Sequence, residues 1–295
     1  MSRIQDILKK AEREGNARRT RSIGTDAPAA SAIAAPEPPP AHRPIAEPTP
    51  IAERREARAR LTEQAAPPRE VNLDRHLVAA LAPRSLAAEQ YRSLRTRISR
   101  VENSRAVRVL IVTSPAKGDG KSLTAANLAL AMAEEFSQRV LLIDADLRRP
   151  SLHHLFDLPD APGLTDVLIG AATLDDTLVT LDDYHLTVLP SGVQPTHPAE
   201  LLGSAAMRRT LDTLRTRFDR LILDMPPVAP LADVHIAAAM ADGILMIVRA
   251  GMTQKPAIER ALAGLDMTKV LGLVLNEVGP EATYQDYAGY KYIAG

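Results

Sequence analysis

The sequence has 295 residues, of which 45% are hydrophobic, and 36 basic side chains balance 36 acidic ones. This length and apolar content suffice for one large α/β domain or two small ones, while the zero net charge removes the global electrostatic argument for a nucleic-acid partner. The absence of cysteine excludes disulfides, thiolate metal sites and cysteine nucleophiles. No apolar run reaches the roughly 18 residues of a membrane span, so we expect an intracellular protein.

Residues 1–20 predict a short N-terminal helix, because Ile4, Ile7 and Leu8 fall at helical spacing. Lys9 and Lys10 lie on another face, which permits a solvated helix or one that docks on a partner or an anionic membrane. The small apolar face favours the solvated helix.

Residues 21–75 are rich in proline and alanine. Clustered prolines remove backbone donors and favour extended chain, so we predict a disordered linker here. Within it, Glu53–Gln64 could form at most a transient charged helix.

Between residues 76 and 280, short apolar runs alternate with helical stretches. The predicted strands are Val107–Thr113, Val140–Ile143, His185–Leu189, Leu221–Leu223, Gly243–Val248 and Val270–Leu275. The predicted helices are Leu86–Val101, Ser122–Glu135, Met207–Arg217 and Leu231–Met240. Strands of this length and composition fit burial on both faces. The alternation predicts an α/β fold with a doubly wound, mostly parallel sheet flanked by helices.

The first predicted strand runs directly into the sequence SPAKGDGKS, which ends at Ser122 and is followed by a helix. Gly118 and Gly120 let backbone N–H groups face a phosphate, and the helix start adds partial positive charge. Lys121 would reach the β- and γ-phosphates, and the Ser122 hydroxyl would bind Mg²⁺. Pro115 stands where the strict phosphate-loop pattern has its first glycine, so an ordinary exposed turn is the alternative.

Two further predicted strands end in carboxylates, at Asp144 with Asp146 and at Asp224. Because the carboxyl ends of parallel strands face one crevice, these side chains are expected to meet the phosphate loop. Two or three of these aspartates, the Ser122 hydroxyl and phosphate oxygens would form a donor set that suits Mg²⁺. Each aspartate could instead be a helix cap or a turn residue.

Together these motifs resemble the cytoplasmic catalytic domain of the bacterial protein-tyrosine kinases (BY-kinases) of capsule and exopolysaccharide systems. The matching segments are the Walker A loop around Lys121, the Walker A′ strand LIDADLR that ends at Arg148, and the Walker B strand LILDMP that contains Asp224. The resemblance implies a P-loop NTPase fold for residues 76–280, ATP and Mg²⁺ as cofactors, and transfer to protein tyrosines. The nucleotide contacts that it implies are Ala116, Lys117, Gly118, Asp119, Gly120, Lys121, Ser122, Leu123 and Arg148.

The same resemblance implies catalytic roles for four residues. Lys121 would hold phosphates, Asp146 would help hold Mg²⁺, and Asp224 would order the metal shell through water. Asp144 is favoured over Asp146 for receiving or orienting the tyrosyl proton, although the residues alone leave the two open.

The pattern E-x-x-R-x-x-R is matched by Glu89, Arg92 and Arg95 on one predicted helix face. By resemblance it implies self-association into a homo-oligomeric ring. The alternative is an exposed intrahelical ion-pair ladder that contributes little.

Four of the six tyrosines lie in the predicted tail, residues 281–295, as Tyr284, Tyr287, Tyr290 and Tyr292. A polar, glycine-containing tail cannot bury four phenols. The resemblance implies that they are autophosphorylation sites. It also implies activation at the inner face of the plasma membrane by a membrane adaptor of a polysaccharide export system.

Two other functions are open at this stage. A partition or cell-division ATPase shares the Walker motifs, but its second lysine would fall where this chain has Ala116. A catalytically silent scaffold would bind ATP only to control assembly.

Overall fold

The computed structural model describes residues 72–102, 106–135 and 138–278, within which seven strands form one sheet. The strands are β1 (Val109–Thr113), β2 (Val140–Asp144), β3 (Val179–Leu181), β4 (Leu186–Leu189), β5 (Arg220–Asp224), β6 (Gly243–Arg249) and β7 (Val270–Asn276). Their order is β3-β4-β2-β5-β1-β6-β7, and every neighbouring pair is parallel except β3 with β4. The predicted fold class, a mostly parallel α/β sheet, is confirmed.

Helices cover both faces of this sheet. They are α1 (Val78–Leu81), α2 (Leu86–Glu102), α3 (Lys121–Ala133), α4 (Leu152–Leu155), α5 (Leu164–Leu168), α6 (Leu174–Thr177), α7 (Pro198–Leu202), α8 (Ala205–Arg217), α9 (Asp233–Ala238) and α10 (Lys255–Ala263), with a 3₁₀ turn at Asp182–Tyr184. No helix within the described ranges has the length and apolar character needed to cross a bilayer.

Two apolar layers hold the sheet between the helices. In β1, Val109 and Ile111 point into the layer that includes α8, whereas Leu110 and Val112 point into the layer that includes α3. All four side chains are fully buried. Alternation toward two apolar layers explains why the strand reads as a continuous hydrophobic run in the sequence.

Some boundaries differ from the sequence-based expectation. The first strand begins at Val109 instead of Val107, where the carboxylate of Asp242 accepts the N–H groups of Arg108 and Val109 at 3.0 and 2.8 Å. Strand β3 and helix α10 were not predicted from the sequence. Leu73 is 8% exposed and packs in the α3 layer, so the folded region begins upstream of residue 76.

The structure does not describe most of three predicted segments. The N-terminal helix (1–20), nearly all of the linker (21–75) and the tyrosine-rich tail (281–295) lie outside the described residues. These assignments remain predictions.

Candidate active site

Three adjacent strands bring the predicted motifs together at one edge of the sheet. Strand β5 lies between β2 and β1, with Asp224 beside Asp144 on one side and Val112 on the other. The loop after β1 leads into α3, which begins at Lys121. The carboxyl ends of parallel strands therefore bring the loop and both acidic motifs into one crevice, as expected for an open α/β sheet.

The loop has its shape because two of its residues adopt left-handed backbone conformations. Gly118 and Gly120 have φ values of 87° and 88°, which side chains with a Cβ atom rarely adopt. A Cβ on Gly120 would also collide with the amide of Asn276. The first residues of the 13-residue helix α3 line the crevice, and the first N–H groups of a helix, which have no partner within it, can bind an anion there.

The ammonium group of Lys121 lies between the two acidic strand ends. Its Nζ is 2.8 Å from Asp146 Oδ2, 3.4 Å from Asp224 Oδ1 and 3.0 Å from the Ser122 hydroxyl. Burial by itself would lower the pKa of Lys121, but the charges of Asp224 and Asp146 outweigh it and raise that pKa. The lysine is therefore a fixed positive charge.

Asp224 has one oxygen that the rest of the described chain does not satisfy. The residue is fully buried, and its Oδ2 has no hydrogen-bond partner among the described residues. Burial raises the pKa of Asp224, against the opposing charge of Lys121. An orphaned carboxylate oxygen beside a lysine and a hydroxyl fits the water shell of a bound cation.

Asp144 and Asp146 have different surroundings although they are two residues apart. Asp144 is fully buried: its Oδ2 accepts the N–H groups of Ser151 and Leu152 at 2.9 Å, and its Oδ1 accepts that of Asp146 at 3.3 Å. Burial and the neighbouring Asp224 raise the pKa of Asp144 to about 7. Asp146 instead lines the crevice.

The crevice has a volume of about 500 Å³. Of the nine predicted nucleotide contacts, seven line it: Lys117, Gly118, Gly120, Lys121, Ser122, Leu123 and Arg148. The facing wall contains Arg149 and the apolar residues Pro226, Pro227, Ala229, Pro230 and Leu231. This wall was not predicted from the sequence, although the consecutive Pro226 and Pro227 shortly after the Walker B aspartate are a signal that could have marked it.

The remaining two predicted contacts, Ala116 and Asp119, do not line the crevice. The Ala116 N–H donates to Asp119 Oδ2 at 2.9 Å, and the hydroxyl of Thr253 donates to Asp119 Oδ1 at 2.7 Å. The amide of Asn276 donates to the Asp119 carbonyl oxygen at 3.0 Å. Thr253 and Asn276 were missed, because no local motif marks a residue that meets the loop only through the fold.

Arg148 lines the crevice and is held by a buried acid. Its Nε and Nη2 atoms are 2.7 and 3.0 Å from the two carboxylate oxygens of Asp233, the first residue of α9. This bidentate pair raises the pKa of Arg148 and fixes the plane of its guanidinium group. Nothing in the sequence pointed to Asp233.

The residues predicted for self-association lie on α2 and contact their own chain. Arg92 Nε is 2.9 Å from Glu134 Oε2, and Arg95 Nε is 3.2 Å from Glu135 Oε1. Glu89 also pairs with Arg92 within the helix. The two arginines therefore tie α2 to the end of α3 in this single chain.

The fold and the site define a class: a P-loop protein with a phosphate loop after β1 and aspartates after β2 and β5. In agreement, residues 107–267 match the AAA domain family. Among curated proteins, the chain is 38% identical over 206 residues to the tyrosine-protein kinase YwqD of Bacillus subtilis, covering 69% of this chain and 86% of that protein. It is 35% identical over 208 residues to the tyrosine-protein kinase CpsD of Streptococcus agalactiae, covering 68% and 89%.

Solved structures agree with these relatives. The chimerical protein CapA2B2 superposes with a TM-score of 0.66 at 32% identity, covering 69% of this chain and 90% of that one. The kinase domain of the Escherichia coli tyrosine kinase ETK gives a TM-score of 0.66 at 26% identity, covering 80% and 90%. The chain therefore belongs to the family of bacterial tyrosine-protein kinases, which confirms the predicted resemblance.

Proposed function

We propose that this protein is an ATP-dependent protein-tyrosine autokinase that phosphorylates the tyrosine-rich tail of a neighbouring subunit. The observation that carries the proposal is the position of Lys121, whose ammonium lies between Asp146 and Asp224 at the start of α3. Membership of the tyrosine-protein kinases selects kinase activity from the chemistries that P-loop proteins support.

The residues at the crevice fit a magnesium–nucleotide complex. The loop amides and Lys121 would bind the phosphates, the Ser122 hydroxyl and Asp146 would hold Mg²⁺, and the unpaired oxygen of Asp224 would order its water shell. When bound, Mg²⁺ neutralises charge on the β- and γ-phosphate oxygens. Lys121 would exchange part of its contact with carboxylates for contact with phosphate.

The reaction requires positioning more than covalent chemistry. The tyrosine oxygen forms a bond to the γ-phosphorus as the bond from that phosphorus to the bridging oxygen breaks, and ADP leaves. The tyrosyl proton passes to a carboxylate. We assign the acceptance or orientation of this proton to Asp144, which is fully buried and whose Oδ1 accepts the N–H of Asp146 at 3.3 Å. This contact supports the orienting role, and a pKa of about 7 suits proton transfer near neutral pH.

Membership of the family supports a proposal for the wider setting. Transfer between subunits requires self-association, for which Glu89, Arg92 and Arg95 are the candidate residues. Activation would come from a membrane adaptor that recruits the kinase to the inner face of the plasma membrane. In this setting the autokinase would regulate exopolysaccharide or capsule synthesis and export, and phosphorylate protein tyrosines.

The test is to incubate phosphatase-treated protein with Mg-ATP, measure phosphotyrosine by immunoblot and map it by mass spectrometry. Modification of Tyr284, Tyr287, Tyr290 or Tyr292 is the expected result. ATP hydrolysis without phosphotyrosine would instead support a partition-type ATPase. Full restoration of polymer export in cells by a Lys121→Met variant would support a silent scaffold.

A further inference from the structure

Three residues form a set of contacts on the side of the phosphate loop away from Asp144 and Asp224. We name Asp119, Thr253 and Asn276 the loop latch, and we propose that the latch positions the phosphate loop for the nucleotide. Thr253 and Asn276 are then positioning residues, because they act through the loop. The inference rests on the nucleotide binding within the proposed function.

The side chain of Asp119 is the centre of the latch. Asp119 is 4% exposed and uses both carboxylate oxygens, accepting the Ala116 N–H and the Thr253 hydroxyl. The Thr253 hydroxyl oxygen also accepts the N–H of Arg249 at 2.9 Å. A hydroxyl that accepts from one side has its proton directed to the other, so Thr253 is oriented toward the loop.

Asn276 fixes the loop at a second point. It is the last residue of β7, and its amide donates to the Asp119 carbonyl oxygen at 3.0 Å. The same amide lies so close to Gly120 that no Cβ would fit between them. Because β6 and β7 lie on the side of β1 opposite β5, the latch holds the loop from the flank that the acidic motifs do not touch.

A buried carboxylate inside a phosphate-binding loop needs an explanation, because its charge opposes the charge of the ligand. Asp119 occupies the Ala116 N–H and leaves the later amides of the loop and the start of α3 for phosphate. A loop that already has its bound shape avoids the ordering cost at binding. The latch therefore favours binding through pre-organisation.

The experiment compares Thr253→Val, which removes the hydroxyl, with Thr253→Ser, which restores it. Calorimetry well below the unfolding temperature measures the Kd of a non-hydrolysable ATP analogue and of inorganic tripolyphosphate, each with Mg²⁺. A hydrogen bond to a charged group predicts a rise in Kd of about tenfold for both probes in Thr253→Val. Thr253→Ser should return the Kd to within about twofold, and Thr213→Val, on the exposed face of α8, is the matched control.

The steady-state constants KM and kcat should respond differently to the loss of the Thr253 hydroxyl. Thr253→Val is expected to raise the KM for ATP while kcat at saturating ATP stays within about twofold, since the catalytic groups remain. Asn276→Leu should weaken both probes as well. Wild-type Kd values for both probes in Thr253→Val would overturn the latch. Weaker binding of the ATP analogue alone would also overturn it, because it would indicate that Thr253 affects the nucleoside and not the phosphates.

These outcomes separate the latch from the kinase assignment. A wild-type protein that binds both probes but forms no phosphotyrosine overturns only the kinase assignment. A wild-type protein that binds neither probe overturns both. Loss of binding in Thr253→Val at a temperature where the variant is fully folded supports the latch even if the variant melts earlier.

Discussion

Lys121 is a partly exposed positive charge, with 13% of its side chain accessible, and its partners are two buried negative charges. Removing one member of such a cluster leaves the others without a countercharge, which costs more than the pair itself contributes. The same ammonium is the group proposed to bind the transferred phosphate. A substitution here therefore affects the electrostatics of the whole crevice.

Replacing Lys121 with methionine should lower the rate of phosphotyrosine formation by about 10²–10³-fold, because the charge that stabilises the transferring phosphoryl group is lost. The rate is measured by radiolabel transfer from ATP. Lys255→Met, at an exposed position on α10, is the control for general loss of a lysine. Near-normal transfer by Lys121→Met would contradict the site.

Asparagine substitutions at Asp144 and at Asp146 distinguish the roles of the two carboxylates. Asp144→Asn should keep Mg-ATP affinity and lose kcat, because Asp144 does not line the crevice and is assigned to accept or orient the tyrosyl proton. Asp146→Asn should lose both Mg-ATP affinity and kcat, since the Asp146 carboxylate contacts Lys121 and would hold Mg²⁺. Kd from calorimetry and kcat from radiolabel transfer test this division, and normal rates in both variants would end the assignment.

At the scale of elements, periodicity was sufficient for the buried strands and for the three longest helices, α2, α3 and α8. Leu221–Leu223 and Val140–Ile143 read as strands because both of their faces are covered. Strand β3 has three residues and pairs only at the sheet edge, so its sequence carries no such pattern. The phosphate loop and the acidic strand ends were predictable because each is a local motif.

Contacts between distant segments could not be predicted in the same way. Asp233 meets Arg148 across 85 positions of sequence, and Asn276 meets Asp119 across 157. Neither residue belongs to a motif with a fixed spacing. Only the sheet order determines which strand ends become neighbours of the loop.

The starts of β2 and β5 are joined by a charged pair whose contribution should depend on pH. The Asp219 carboxylate accepts two hydrogen bonds from the guanidinium group of Arg139, both at 3.1 Å, and one from the backbone N–H of Arg139 at 3.0 Å. These hydrogen bonds lower the pKa of Asp219 to about 2. The stabilisation is present above the ordinary pKa of 3.8 and is lost as the pH falls through about 2.

Asp219→Asn should therefore reduce the free energy of unfolding at pH 7 by about 1 kcal/mol, as expected for an exposed pair. The difference from wild type should shrink below pH 3.8 and vanish only below about pH 2. Urea unfolding at pH 7 and pH 3 measures it, with Asp212→Asn as a surface control. A difference that grows toward acid would contradict the sign of this linkage.

At the scale of the molecule, the same residues of α2 that pack within one subunit are those proposed to contact the next subunit of the ring. Arg92 and Arg95 already contact Glu134 and Glu135, so a neighbouring subunit would have to share or replace these partners. Partly exposed ion pairs contribute little to the stability of one chain. Replacing these contacts within one chain by contacts of Arg92 and Arg95 with a neighbouring subunit would therefore cost little free energy.

Alanine at Glu89, Arg92 and Arg95 together should dissociate the oligomer while lowering the free energy of unfolding by only about 1–2 kcal/mol. Analytical ultracentrifugation gives the mass and urea unfolding gives the stability. Arg97→Ala, exposed on the same helix, is the control. An unchanged mass with reduced stability would show that these residues act only within their own chain.

Transfer between subunits predicts that two inactive variants complement each other. Lys121→Met keeps its tail but loses the phosphate-binding charge, whereas a variant with phenylalanine at all four tail tyrosines keeps the crevice but lacks acceptors. Neither should form tail phosphotyrosine alone. Mixed with Mg-ATP, they should place phosphotyrosine on the tail of the Lys121→Met chain, at a rate that rises with total protein concentration. Mass spectrometry distinguishes the two chains, and failure of the mixture beside an active wild type would mean that each tail is modified within its own chain.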